Sequence, residues 1–367
     1  MSNHIDLNKV SNYFQNVNGK VTLGIDGYID EVWQLLDSRA SLEDYTVSQR
    51  MKSFGEKIVS RGEGGITIEI VSKRIGYGGF TGNTSRAVCG LGLKPTVIGM
   101  YGKSAVNPVF AGMDEKCDLI SIGDPAVCHI YEFEDGKVML PYILSILSLD
   151  WKLLTEALGE RALYDIFGGS DIFAIGYWSS MHAFDEIVAN LCKNAGKKPK
   201  KMFFDFGDVT KREPEALVDT LSLLGDLSRL VPMALSLNEH EAGELFACFG
   251  EDFPQDCYEA EKSMDKMRAR VGITELIVHT PYFAVMASAR EGTAMVKQAH
   301  CERPVKTTGA GDTFNGGYIT ADLGGLNAYE RLAIANAATS CFVKTGDAPD
   351  RAKLMDEMIW QSNAVGE

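Results

Sequence analysis

The chain lacks a surplus of positive charge: 36 lysines and arginines stand against 50 aspartates and glutamates, a formal charge of −14. That argues against the clustered basic surface a nucleic-acid binder needs. Its one basic run, Lys197-Lys198-Pro199-Lys200-Lys201, falls between a helical and a strand-like stretch and reads as a solvated loop. Paired cysteines are missing as well. The 8 cysteines are scattered without Cys-x-x-Cys spacing, and no histidine stands at metal-ligand spacing. Reduced, mostly buried thiols of a cytoplasmic protein are the expectation. No apolar run approaches the roughly 18 residues a spanning helix needs, and residues 1–20 carry no apolar signal core. These absences predict a soluble intracellular protein with neither a membrane nor a nucleic-acid partner. Repeats and low-complexity segments are absent too.

What remains is ordinary globular material: 367 residues, 45% hydrophobic and 23% charged, enough for a large core. Compact apolar runs at Val21–Ile25, Thr96–Met100, Asp171–Gly176, Lys201–Asp205, Ala234–Asn238 and Glu275–His279 lack period-2 alternation. Such runs suit strands covered on both faces. Amphipathic stretches lie between them at Asn83–Leu91, Ala183–Asn194, Pro214–Leu230, Glu239–Phe249 and Tyr258–Val271. The alternation predicts an α/β fold, a mainly parallel sheet with helices on both sides.

Two stretches break the rhythm. Glu31–Arg74 reads as a charged helical segment, a turn at Gly62–Gly65 and an alternating strand Ile66–Val71. His129–Phe133 and Lys137–Pro141 flank Glu134-Asp135-Gly136, a hairpin signal. Both are expected to form a small β-rich lid, inserted at about 31–75 and 117–142 within one domain spanning 1–367. A purely structural cap is the alternative.

Two nucleotide-binding motifs fail on inspection. Gly99-Met100-Tyr101-Gly102-Lys103-Ser104 ends like a Walker loop, but Val97 occupies the position of its first glycine. Gly76-Tyr77-Gly78-Gly79-Phe80-Thr81-Gly82 has Thr81 where a dinucleotide fingerprint needs its third glycine.

The strongest chemistry lies in Lys306-Thr307-Thr308-Gly309-Ala310-Gly311-Asp312-Thr313, a glycine-rich turn opening a helix. Exposed backbone N–H groups and the helix N-terminus suit a phosphoryl group gaining charge. Asp312 at that mouth is placed to take a proton from an attacking hydroxyl. Capping alone would also explain it.

With Gly309–Asp312, Gly78-Gly79 followed by Asn83, and Asn238-Glu239-His240-Glu241 in that order, the chain resembles the ribokinase-like (PfkB) carbohydrate kinases from about Val21 to Pro349. The resemblance implies a ribokinase-like three-layer αβα sandwich with a lid, and ATP with Mg²⁺. It assigns Asp312 as base and the amides of Gly309, Ala310 and Gly311 as anion hole. Asp30, matched to the acid that ends the family's first strand, would bind the acceptor with Gly78, Gly79 and Asn83. Asn238 and Glu241 would organise Mg²⁺ through water. Thr280, Thr308, Asn336 and Gly346 would border the nucleotide, Asn336 near the adenine. Read singly, Asp30 could cap a helix beginning at Glu31, Asn238 and Glu241 could form a capping pair, and Asn336 could be a core amide.

The chain departs from the family at Lys306, where an acid usually helps hold a monovalent cation, at Tyr282, where relatives carry glycine, and at Lys103. A lysine ammonium at 306 could make added K⁺ dispensable, unless it points into solvent. The expected activity is phosphoryl transfer to a sugar. The alternatives are a nucleoside kinase, an ADP-dependent sugar kinase, or a catalytically silent binding protein. A homodimer through the lid is a further expectation.

Overall fold

The apolar runs become strands because both of their faces are buried. In the computed structural model, which describes residues 5–364, Phe173, Ile175, Met202 and Phe204 enter one core layer, while Ile172, Ala174 and Phe203 enter the other. The strands are β1 Val21–Gly24, β2 Tyr28–Arg39, β3 Tyr45–Val47, β4 Ile70–Gly78, β5 Thr96–Gly99, β6 Asp118–Ser121 and β7 Ala126–Phe133. They continue as β8 Gly136–Tyr142, β9 Ile172–Gly176, β10 Lys201–Asp205, β11 Met233–Asn238, β12 Glu275–His279, β13 Phe283–Ser288 and β14 Gly292–Lys297. Four helices reach the site: α1 Gly79–Gly90, α2 Glu239–Ala247, α3 Ala310–Ala321 and α4 Ala328–Thr345.

The large sheet runs β14-β13-β12-β11-β10-β9-β1-β5-β6. It is parallel from β12 to β6, and β13 and β14 add an antiparallel edge. Helices cover both faces, giving three layers. The parallel strands end together, so Gly176, Asp205, Asn238 and His279 share the carboxyl edge where open α/β sheets hold ligands. The smaller sheet runs β3-β2-β7-β8, with β4 also paired to β2. Among the described residues no helix is long and apolar enough to cross a membrane.

The irregular stretches fold differently from the expectation. Glu31 begins no helix: it lies within the 12-residue β2, which β4 and β7 flank, so tertiary pairing overrides local propensity. The helix of this stretch is Met51–Ser60, and its second strand is Ile70–Gly78 rather than Ile66–Val71. In the second stretch, Asp118–Ser121 pairs with β5 in the large sheet, and only β7 and β8 join the small one. The basic run is not wholly solvated either. Lys201 opens β10 and reaches the buried carboxylates of Glu275, at 2.7 Å, and Asp322.

Candidate active site

Helix α3 starts at a glycine because the chain arrives there with φ 91°, a left-handed conformation L side chains resist. A Cβ on Gly309 would also stand 3.1 Å from Asn83 Nδ2. Ala310 donates its N–H to the Thr307 carbonyl at 3.1 Å, so that amide is engaged by the turn. The N–H groups of Gly311 and Asp312, too early in the helix for an intrahelical acceptor, are the ones left to face an anion.

Asp312 is held from two directions. Asn83 Nδ2 on α1 donates to Asp312 Oδ2 at 2.9 Å, and the Tyr177 hydroxyl reaches the same oxygen at 3.4 Å. Burial pushes the Asp312 carboxyl well above the usual range, and the charge of Asp205 pushes it further; the Asn83 hydrogen bond opposes both. Tyr177 follows β9 with φ 61°, the only left-handed non-glycine among the described residues. Its N–H is fixed by the Asp205 carbonyl at 2.8 Å, and its ring packs edge-on against Tyr28.

Helix α1 is set by Asp26, not by Asp30. The buried Asp26 carboxylate accepts the N–H groups of Phe80 and Thr81 at 2.7 and 2.9 Å, which caps the helix. Gly79, at φ 79°, turns the chain there, and a Cβ would strike Asp26. Asp30 neither caps a helix nor ends the first strand, which stops at Gly24; it lies in β2. Gly78 leaves room for its carboxylate. Burial raises the Asp30 carboxyl, and Arg86, Lys306, Arg74 and Lys137 oppose that rise.

Two cavities meet at this point. One, of about 740 Å³, is bordered by Asp30, Gly79, Asn83, Thr308, Gly309 and Asp312, with Tyr28, Tyr177 and Ser180 beside them. Cys128, Met139 and Pro141 of the small sheet cover it. Asp205, Asp208 and Glu241 complete its wall. Burial lifts Asp205 to about 6, and burial with the charge of Asp205 lifts Glu241 well above its ordinary value. Among the described residues none of Asp205, Glu241 and Asp312 has an ion-pair partner, and no three potential ligands cage a metal. Crowded carboxylates of this kind fit a hydrated divalent cation rather than a fully chelated one. Asn238 and Glu241 form a full capping box on α2, so the local capping alternative is true as well.

The second cavity, of about 780 Å³, is lined by His240, Thr280, Gln298, His300, Thr339 and Val343 among others. Asn238, His279 and Gly311 line both cavities. The His279 ring packs tilted against Phe314, centroids 4.6 Å apart, and burial holds its imidazole down at about 4, hence neutral.

Some expected positions lie elsewhere. Asn336 is a buried amide that donates to the Val296 carbonyl at 3.3 Å, on the sheet-facing side of α4; Thr339 and Val343 are the residues of that helix that border the cavity. Gly346, with φ 84°, terminates α4 and lines neither cavity. Lys306 does not project freely into solvent: it is half-buried, its ammonium 5.1 Å over the Phe342 ring. Tyr282 is exposed and stacks on His300 at 4.8 Å, beside the second cavity. Lys103 is exposed in the loop after β5. Sequence reasoning missed Asp205, Tyr177 and His279. Each stands at or just after the end of a parallel strand, the one signal that could have marked them.

Comparison with known proteins agrees with this geometry. The chain matches the prokaryotic ketohexokinase family over residues 9–358. A ketohexokinase of Haloferax volcanii is 28% identical over 337 residues, covering 90% of this chain and 88% of the relative. Phosphofructokinase-2 of Escherichia coli superposes with a TM-score of 0.64 at 14% identity, covering 94% of this chain and 100% of its own. Ribokinase of Thermotoga maritima gives a TM-score of 0.62 at 17% identity, covering 93% and 99%. The chain therefore belongs to the prokaryotic ketohexokinase family, a carbohydrate kinase with the ribokinase fold.

Proposed function

We propose that the protein transfers the γ-phosphoryl group of ATP to a hydroxyl of a ketohexose, with Asp312 as general base. The observation that carries this reading is the meeting of two cavities at Gly311, with Asp312 on the side of the smaller one. ATP would occupy the histidine-lined cavity and the sugar the one bordered by Asp30 and Asn83. The family's description and the relative's name support a ketohexose as acceptor.

Asn83 and Tyr177 engage Oδ2 of Asp312, so Oδ1 is the oxygen that takes the acceptor proton. The Gly311 and Asp312 amides face the phosphoryl group as its charge grows. Asp205, Asp208 and Glu241 would hold the waters of Mg²⁺, which when bound neutralises phosphate charge. The small sheet, through Cys128, Met139 and Pro141, would exclude water from the acceptor and limit ATP hydrolysis. Its exposed Ile75, Leu140 and Tyr142 support a homodimer built on that sheet, and the scattered free thiols support a cytoplasmic location.

The test is nucleotide consumption with Mg²⁺ against ketohexoses, aldoses, pentoses and nucleosides, with ATP and ADP as donors. Turnover restricted to ketohexoses with ATP is expected. Preference for a nucleoside acceptor, or for ADP as donor, would replace the reading with that activity. Tight nucleotide binding without turnover on any acceptor would make the protein a silent binder.

A further inference from the structure

Arg86 lies on α1, one turn beyond Asn83, so the two side chains share a face of the helix. It does not line the acceptor cavity. Its guanidinium sits behind the catalytic wall, in a separate cavity of about 650 Å³ with Cys89, Lys94, Lys116 and Asp347. Among the described residues it forms no ion pair with a carboxylate. Instead Nη1 donates to Asn83 Oδ1 at 2.7 Å, Nη2 donates to the Tyr77 carbonyl, and the plane lies 3.8 Å over the Tyr77 ring. A part-buried charge committed to one amide oxygen and one carbonyl, and stacked on a ring, fixes geometry, beside the longer-range pull its charge exerts on Asp30.

What it fixes is the sense of the Asn83 amide. An asparagine side chain can turn over and exchange its oxygen for its nitrogen. With Oδ1 taken by Arg86, Nδ2 must face Asp312, where it donates at 2.9 Å. Turned over, the amide would press Oδ1 against a carboxylate, an acceptor against an acceptor.

We propose that Arg86 is a positioning residue for the transfer: acting through Asn83, it holds the amide donor toward Asp312 and so aims the carboxylate at the acceptor hydroxyl. The inference rests on the reading of Asp312 as base. Lysine can replace it only in part, because an ammonium lacks the planar fork that serves the two oxygens while stacked on Tyr77. The rear cavity gives a small cation a route to the place that Arg86 fills.

The experiment compares Arg86→Met, Arg86→Lys and Arg86→Ala with wild type and Asp312→Asn, using Mg·ATP and the best ketohexose. Misplacing a reacting group by about 1 Å costs on the order of 100-fold, so Arg86→Met should lose about 100-fold in kcat and Arg86→Lys about tenfold. KM for ATP should stay within about twofold, because nothing on the nucleotide side touches Arg86. Arg86→Ala should regain about tenfold or more in millimolar guanidinium chloride, which leaves wild type unchanged. If Arg86→Met does not fold, Arg86→Gln is read in its place. A kcat within about twofold of wild type for Arg86→Met overturns the inference, as does a loss that guanidinium does not restore in Arg86→Ala. Activity retained by Asp312→Asn would overturn the base assignment instead, so the two failures are distinguishable.

Discussion

The two cavities that meet at Gly311 are nearly equal in size and differ in the side chains that dominate them. The acceptor side concentrates buried carboxylates, Asp205, Glu241 and Asp312, each lifted by burial and the latter two also by the charge of Asp205. The other side is bordered by His240, His300 and Thr280 together with Glu239 and Glu244, with Tyr282 stacked on His300 beside it, and His279 lines both. The contrast teaches where reactivity is placed. On the proposed function, groups that would move protons or attract a cation stand on one side, and groups that would shape a pocket for the nucleotide stand on the other. Substitutions on the carboxylate side should therefore change kcat, and those on the histidine side should change KM for ATP.

The largest expected effect is that of Asp312→Asn, which removes the base and should lower kcat by about 1,000-fold with KM for ATP little changed. A loss of less than tenfold would break the comparison at its centre. Asp205→Asn follows, with about a tenfold loss in kcat and an opposite effect on stability. The Asp205 carboxyl titrates at about 6 in the fold, above its ordinary 3.8, so the native state holds the proton more tightly than the unfolded chain. Stability from this group falls as pH rises through that interval, and the cost is complete above about 6. Asp205→Asn should therefore stabilise the ligand-free protein by about 1–3 kcal/mol at pH 7.5 and by little near pH 4. An equal gain at both pH values, read by thermal melting, would contradict the electrostatic account.

Tyr177→Phe keeps the ring and deletes one donor to Asp312, so kcat should drop about fivefold without a change in melting temperature. On the other side, Tyr282→Ala should raise KM for ATP by about threefold and leave kcat alone, since an exposed ring stacked on His300 contributes little. A fall in kcat instead would mean that the aromatic pair reaches the chemistry. The smallest effect is a null one. The Lys306 ammonium, half-buried over Phe342, already acts on Asp30 through its charge, and we expect replacement of Tris by potassium salts to leave kcat within about twofold. Several-fold activation would show that the ammonium does not substitute for a monovalent ion.

Much of the site was legible because it is local. Gly309–Asp312 and Asn238–Glu241 each compress their geometry into four residues, and a helix start is the physical reason in both cases. The parallel strands were legible from apolar runs buried on both faces. Asn336 misled because the periodicity of α4 does not reveal which face meets the cavity, and its amide turned toward β14 instead. Asp26 and Asp30 differ by four residues, and only the fold shows that the first caps α1 while the second lines the cavity beside Asp312. Asp205, Tyr177 and Arg86 act through partners more than 100 residues away, or through the orientation of a neighbouring amide, and a linear motif cannot carry either.

The most direct test follows phosphorus. In a phosphorus NMR spectrum of enzyme, Mg·ATP and a ketohexose, one sugar phosphomonoester should appear for each ADP formed, with little inorganic phosphate. Inorganic phosphate as the main product, or ADP formation indifferent to the sugar, would contradict transfer across the junction at Asp312.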